Sequence, residues 1–170
     1  AAIKETYGVD VAAHAPTSDA EPTEKQSTNE MEAANADDSV KADDEAEGEI
    51  IAASHNCVTL NNDPTAHAEV MAIREACQKL QTFDLSGCIL YASCEPCPMC
   101  LSAMYWAHIE RYFYAGTQHD AAEIGFDDKF IYDEIAQKPK DRFMSRKQIL
   151  RDATLKVFNT WKNKADKIEY

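Results

Sequence analysis

Apolar and polar positions change their rhythm at Gly48. After it comes a short β-type run, Glu49-Ile50-Ile51-Ala52-Ala53, and then a polar loop through Asn62. Val70, Ile73, Cys77 and Leu80 recur at the spacing of one helix face, and Asp63-Pro64 ahead of them offers a cap and a first-turn proline, so a helix is expected there. Gly87 closes the connection to Cys88-Ile89-Leu90-Tyr91-Ala92, a nearly continuous apolar run of the kind a strand shows when both its faces are covered. A loop and a helix from about Pro96 to Ala107 follow. Arg111-Tyr112-Phe113-Tyr114-Ala115 is a second strand candidate, and beyond Gly116 an acidic, helical-looking stretch runs through Ala136. In the last helix Leu155, Phe158, Trp161 and Ala165 form an apolar stripe, with Lys and Asn on the other side. Such alternation of strand and helix predicts a layered α/β domain over 48–170.

The 47 residues before that domain are a different kind of polymer. They carry 13 Asp/Glu against 3 Lys, a charge of -10, whereas 48–170 carry 17 Asp/Glu against 14 Lys/Arg, a charge of -3. From Thr17 to Glu47 there is no aromatic residue, and Met31 and Val40 are the sizeable apolar side chains. A segment of that composition buries too little surface to offset its ordering entropy, so acidic disorder is expected there. The net charge of -13 and a pI near 4.7 repel nucleic-acid phosphates and anionic membrane surfaces. No apolar run approaches the roughly 18–20 residues that cross a bilayer, and the start has no basic and apolar leader. A soluble, cytoplasmic protein of 170 residues with one catalytic or binding domain is the expectation.

Three of the six cysteines, Cys94, Cys97 and Cys100, stand at three-residue spacing, which in a chain without a secretory signal marks metal or redox chemistry rather than a disulfide framework. Pro96-Cys97-Pro98-Met99-Cys100 sets two thiols one turn apart at a helix start, where the helix dipole favours thiolate. Two thiolates leave a zinc ion short of ligands. His67, at the start of the preceding helix and thirty residues before Cys97, is the strongest candidate for the third. Three protein ligands keep a fourth position open for water, and Glu69 sits two residues past His67 as a proton carrier outside the ligand set. The alternative is a closed site in which Cys94 is a fourth ligand, which leaves Glu69 without a task. His55, His108 and His119 have no motif partner, and Cys57, Cys77 and Cys88 are expected to pack. Together the residues spell H-x-E followed by P-C-x-x-C, the pattern of zinc-dependent base deaminases.

Asn61-Asn62-Asp63-Pro64-Thr65-Ala66-His67-Ala68-Glu69-Val70 and Ser93-Cys94-Glu95-Pro96-Cys97-Pro98-Met99-Cys100 resemble the cytidine-deaminase-like superfamily. Met104-Tyr105-Trp106-Ala107, the run from Asp120 to Asp128 and the terminal Ile168-Glu169-Tyr170 narrow the resemblance to the bacterial-type guanine deaminases, over nearly all of 48–170. The resemblance implies a three-layer cytidine-deaminase-like fold, with a central mixed sheet flanked by helices. It also implies hydrolysis of guanine to xanthine and ammonia, with zinc on His67, Cys97 and Cys100 and Glu69 as the single acid and base. It places Asn56 and Asp128 against the purine, Trp106 in the aromatic wall, and Tyr170 as a closing residue contributed across a domain-swapped homodimer. By themselves Asn56 reads as a turn residue, Trp106 as a core aromatic and Asp128 as half of an exposed acidic pair.

The family's N-terminal helix and Gly-rich entry to the first strand have no counterpart here. Residues 1–4 read as the remainder of that strand, with further residues expected ahead of Ala1, and 5–47 read as replacing a short hairpin loop. Three rival functions stay open: deamination of guanosine or cytosine, deamination of adenosine in tRNA, which the acidic balance disfavours, and a non-catalytic zinc-stabilised interaction module.

Overall fold

The computed structural model describes residues 8–9 and 48–168. The expected strand remnant at 1–4, most of the expected insert and Tyr170 lie outside the described residues. The strands are β1 (Gly8–Val9), β2 (Ser54–His55), β3 (Ile89–Cys94) and β4 (Arg111–Gly116). The helices are α1 (Val58–Asn61), α2 (Ala68–Leu80), α3 (Pro98–Trp106), α4 (Gln118–Glu123), α5 (Lys129–Ala136) and α6 (Arg151–Lys162). β1 pairs antiparallel with β2, Gly8 opposite His55. β3 pairs in parallel with β4 from Ile89 opposite Arg111 to Cys94 opposite Gly116, with α3 in the crossover. The two ladders are separate, and β1 lies against β3. β1 therefore falls inside the range read as insert, and its partner forms at Ser54–His55, past the expected 49–53 run. Ile51 and Ala52 of that run are buried core residues without a ladder.

The core joins Ile51, Ala52, Leu85, Cys88, Leu90, Ala92, Met104 and Ala107 to one face of α2. That face is Ala68, Ala72 and Ala76, each four residues after the last, rather than the larger side chains the periodicity singled out. Ile73 and Cys77 pack at its margin, and Leu80 is exposed. Alanine wins the centre because a helix lying flat on a layer must bring its backbone close, and larger side chains then fill the edges. Leu90 is completely buried at the middle of β3. Leu90→Ala should lower stability by about 2–5 kcal/mol, read as a reduced urea midpoint at unchanged slope.

Two helix starts differ from expectation, and both matter for the site. Asp63 does not cap α2; its Oδ1 accepts from the Thr65 N–H at 2.8 Å and the Thr65 hydroxyl at 2.7 Å in a tight turn. The helix begins later, at Ala68, which makes His67 its N-cap in extended conformation. Similarly Pro98, not Pro96, is the first residue of α3, Cys97 is the N-cap, and Pro96 is fully buried in the loop before it. The acidic stretch after Gly116 forms two helices, α4 behind a Thr117–Asp120 capping box and α5, with Gly125 at φ 93 in the turn between them. No residue of α4, α5 or α6 is buried. Leu155, Phe158 and Trp161 share a helix as predicted, yet stay exposed, and Ala165 falls beyond its end.

Candidate metal and catalytic site

Two helix N-termini converge. His67 heads α2 and Cys97 heads α3, with Cys100 one turn in and fully buried. Cys97 Sγ lies 3.6 Å from His67 Nδ1 and 3.5 Å from Cys100 Sγ, and one donor atom from each of the three falls within 4.8 Å of the others. Tetrahedral zinc with bonds of about 2.0–2.3 Å sets its ligand atoms about 3.5–3.8 Å apart, so the spacing and the sulfur-nitrogen donor set both fit that ion. Cys94 stays out of the cluster, its thiol directed to the Thr117 carbonyl at 3.7 Å. The structure thus brings together the three ligands read from the sequence and leaves out the fourth that a closed site needs.

The hydrogen bond from Cys100, then His67, pulls the Cys97 thiol down to about 4. Cys100 is pushed the other way by that same shared proton and by burial. His67 is raised chiefly by its hydrogen bond to Cys97, against burial. A metal that binds these groups displaces whatever protons they carry. Glu69, in the first turn of α2, is 8% exposed, the one charged residue in the described core. Burial raises its carboxyl above the usual range, and a hydrogen bond with Cys100 opposes that rise. It lies beside the donor set without belonging to it.

The other sequence-derived residues are spread out. Asp128, the N-cap of α5, is near enough for its charge to raise His67, and its own carboxyl is raised by partial burial and by Cys97. Asn56 follows β2, where its Oδ1 accepts from the Val58 N–H at 3.0 Å, the turn role its residue type suggested. Trp106 ends α3, roughly 13 Å along the helix axis from Cys97, and is 65% exposed rather than core. Sequence reasoning missed Tyr132, whose hydroxyl donates to the Pro96 carbonyl at 3.0 Å, and Glu95, whose carboxylate accepts from the Gln118 N–H at 2.9 Å. Glu95 lies within the motif run, but no local pattern encodes either contact, because each joins segments more than twenty residues apart.

Residues 39–116 match the cytidine and deoxycytidylate deaminase zinc-binding region. The chain is 53% identical to the guanine deaminase of Bacillus subtilis over 124 residues, 73% of this chain and 80% of that one. The X-ray structure of a Bacillus subtilis guanine deaminase superposes with a TM-score of 0.70 at 53% identity, covering 73% of this chain and 79% of the other, so the fold is the cytidine-deaminase-like one. A tRNA-specific adenosine deaminase of Aquifex aeolicus is 51% identical over a shorter stretch of 69 residues, 41% of this chain and 46% of that protein.

Proposed function

The chain belongs to the family of zinc-dependent deaminases that includes the Bacillus subtilis guanine deaminase, and from that membership we propose that it hydrolyses guanine to xanthine and ammonia. The convergence of His67, Cys97 and Cys100 beside the buried Glu69 carries this reading. It is supported by an identity to a guanine deaminase that runs far past the metal motif. Over a comparable length a tRNA-specific adenosine deaminase reaches 32% identity against 53% for the guanine deaminase, and a net charge of -13 suits a tRNA poorly.

His67, Cys97 and Cys100 would hold zinc, which when bound makes hydroxide available at neutral pH. Glu69 accepts a proton of the attacking water and passes it to the purine ring as the amino-bearing carbon becomes tetrahedral; it then takes the remaining hydroxyl proton and gives it to the amino group, which leaves as ammonia as the C–N bond breaks. The burial of Glu69 raises its carboxyl above the ordinary range, the direction that favours its holding a proton between the two transfers. Asp128 and Asn56 contact the purine edge. Trp106 forms part of the aromatic wall, and Tyr170 closes over the base across a domain-swapped homodimer whose interface takes up the exposed apolar side chains of α6 and β4. Among the described residues no helix is long and apolar enough to cross a membrane, and six free cysteines suit a reducing cytoplasm. Residues 5–47, the Gly8–Val9 strand apart, serve as an acidic insert in place of a hairpin loop, with the deaminase domain resuming at Gly48.

Purine turnover and zinc content, measured on one preparation, test the reading. Xanthine and ammonia should appear from guanine at one zinc per chain, with guanosine left largely unreacted. Xanthosine forming faster than xanthine would move the substrate to the nucleoside, and zinc without any turnover would favour the interaction module.

A further inference from the structure

None of the eight residues of α5 is buried, so apolar packing does little to fix Asp128 at its N-terminus. One hydrogen bond ties this helix to the metal loop. The Tyr132 hydroxyl donates to the Pro96 carbonyl at 3.0 Å, and the Pro96 peptide leads directly into Cys97. Pro96 is itself fully buried, which makes it a firm anchor. Tyr132 stands one turn past Asp128, its N–H donating to the Asp128 carbonyl at 3.3 Å, so the two side chains leave the same side of α5. Asp128 in turn is close enough to act electrostatically on both His67 and Cys97.

We propose that Tyr132 is a positioning residue, its hydroxyl latching α5 onto the Pro96-Cys97 peptide and so setting the reach of Asp128 to the purine. The assignment rests on the reading of Asp128 as a purine contact. Partial burial, then Asp128 and Glu95, raise the Tyr132 phenol to about 12, so it remains a donor throughout the neutral range. The latch works through its proton, and the ring alone does not supply it.

Tyr132→Phe keeps the ring and removes the donor, so it is the variant to compare with Asp128→Asn and with the double variant, all zinc-loaded. Tyr132→Phe should bind one zinc per chain, lower kcat/KM for guanine about three- to tenfold, chiefly through KM, and speed amide exchange across 129–136. In the Asp128→Asn background the same change should cost less than twofold, because the group it positions is gone. Unchanged amide exchange, unchanged kcat/KM, loss of zinc, or the full loss persisting without the Asp128 carboxylate would each overturn the latch. Parental activity in Asp128→Asn itself would instead overturn the reading of Asp128 on which the latch depends.

Discussion

Glu69→Gln should leave a chain that carries one zinc and converts guanine about 10³-fold more slowly or worse, with stability close to the parent. The substitution conserves size and some hydrogen bonding while removing the one function assigned to this carboxylate, proton transfer. Glu69 is 8% exposed and lies outside the cluster of His67, Cys97 and Cys100. The donor set therefore survives, and so does the packing at the start of α2. What is lost is a group that takes one proton from water to the ring, then takes the remaining hydroxyl proton and gives it to the leaving amino group. Zinc content by elemental analysis and single-turnover xanthine formation, on the same sample, check it. Activity within tenfold of the parent would remove Glu69 from the proton path. Loss of zinc would instead make Glu69 part of what holds the donor set.

The structure brings the sequence-derived site residues together where their pattern is local. His67 and Glu69 are two residues apart, Cys97 and Cys100 one turn apart, and each pair opens a helix, so spacing alone fixes their relative placement. The two strands that bracket α3 were legible for a similar reason, as short apolar runs bounded by glycine and polar residues. Long-range placement was not. Asp63-Pro64 looks like a cap, but Thr65 satisfies Asp63 in a turn of its own, and the helix waits until His67. The periodicity of Val70, Ile73, Cys77 and Leu80 identified the helix but not its centre of contact, since hydrophobic size says nothing about how near the helix lies to the strands. Trp106 shares a helix with the ligands, yet the helix carries it away from them. Tyr132 reaches Pro96 across 36 residues, and no local pattern encodes such a contact.

Cys100→Ser should abolish zinc binding, and turnover with it. Cys100 is fully buried and sits 3.5 Å from Cys97 Sγ, so its sulfur occupies a position that a shorter hydroxyl fills poorly. Serine stays protonated at neutral pH, where a zinc ligand must be anionic or a neutral imidazole. Only His67 and Cys97 would remain, one from each helix terminus, too few to hold the ion against competing chelators. The stability effect follows from the same geometry. Because the ligands clamp α2 to α3, zinc binds the folded chain and not the unfolded one. A parent held at a free zinc level about 1,000 times its dissociation constant is stabilised by about 4 kcal/mol. For a domain of this size that corresponds to roughly 8–16 °C in Tm. The variant should melt that much lower than the zinc-loaded parent and no longer respond to added zinc, and a chelator should bring the parent down toward it. Cys94→Ser, by contrast, should keep zinc and its melting response, because Cys94 is turned to the Thr117 carbonyl. Stoichiometric zinc in Cys100→Ser that disappears when Cys94 is also replaced would mean that Cys94 can enter the coordination sphere.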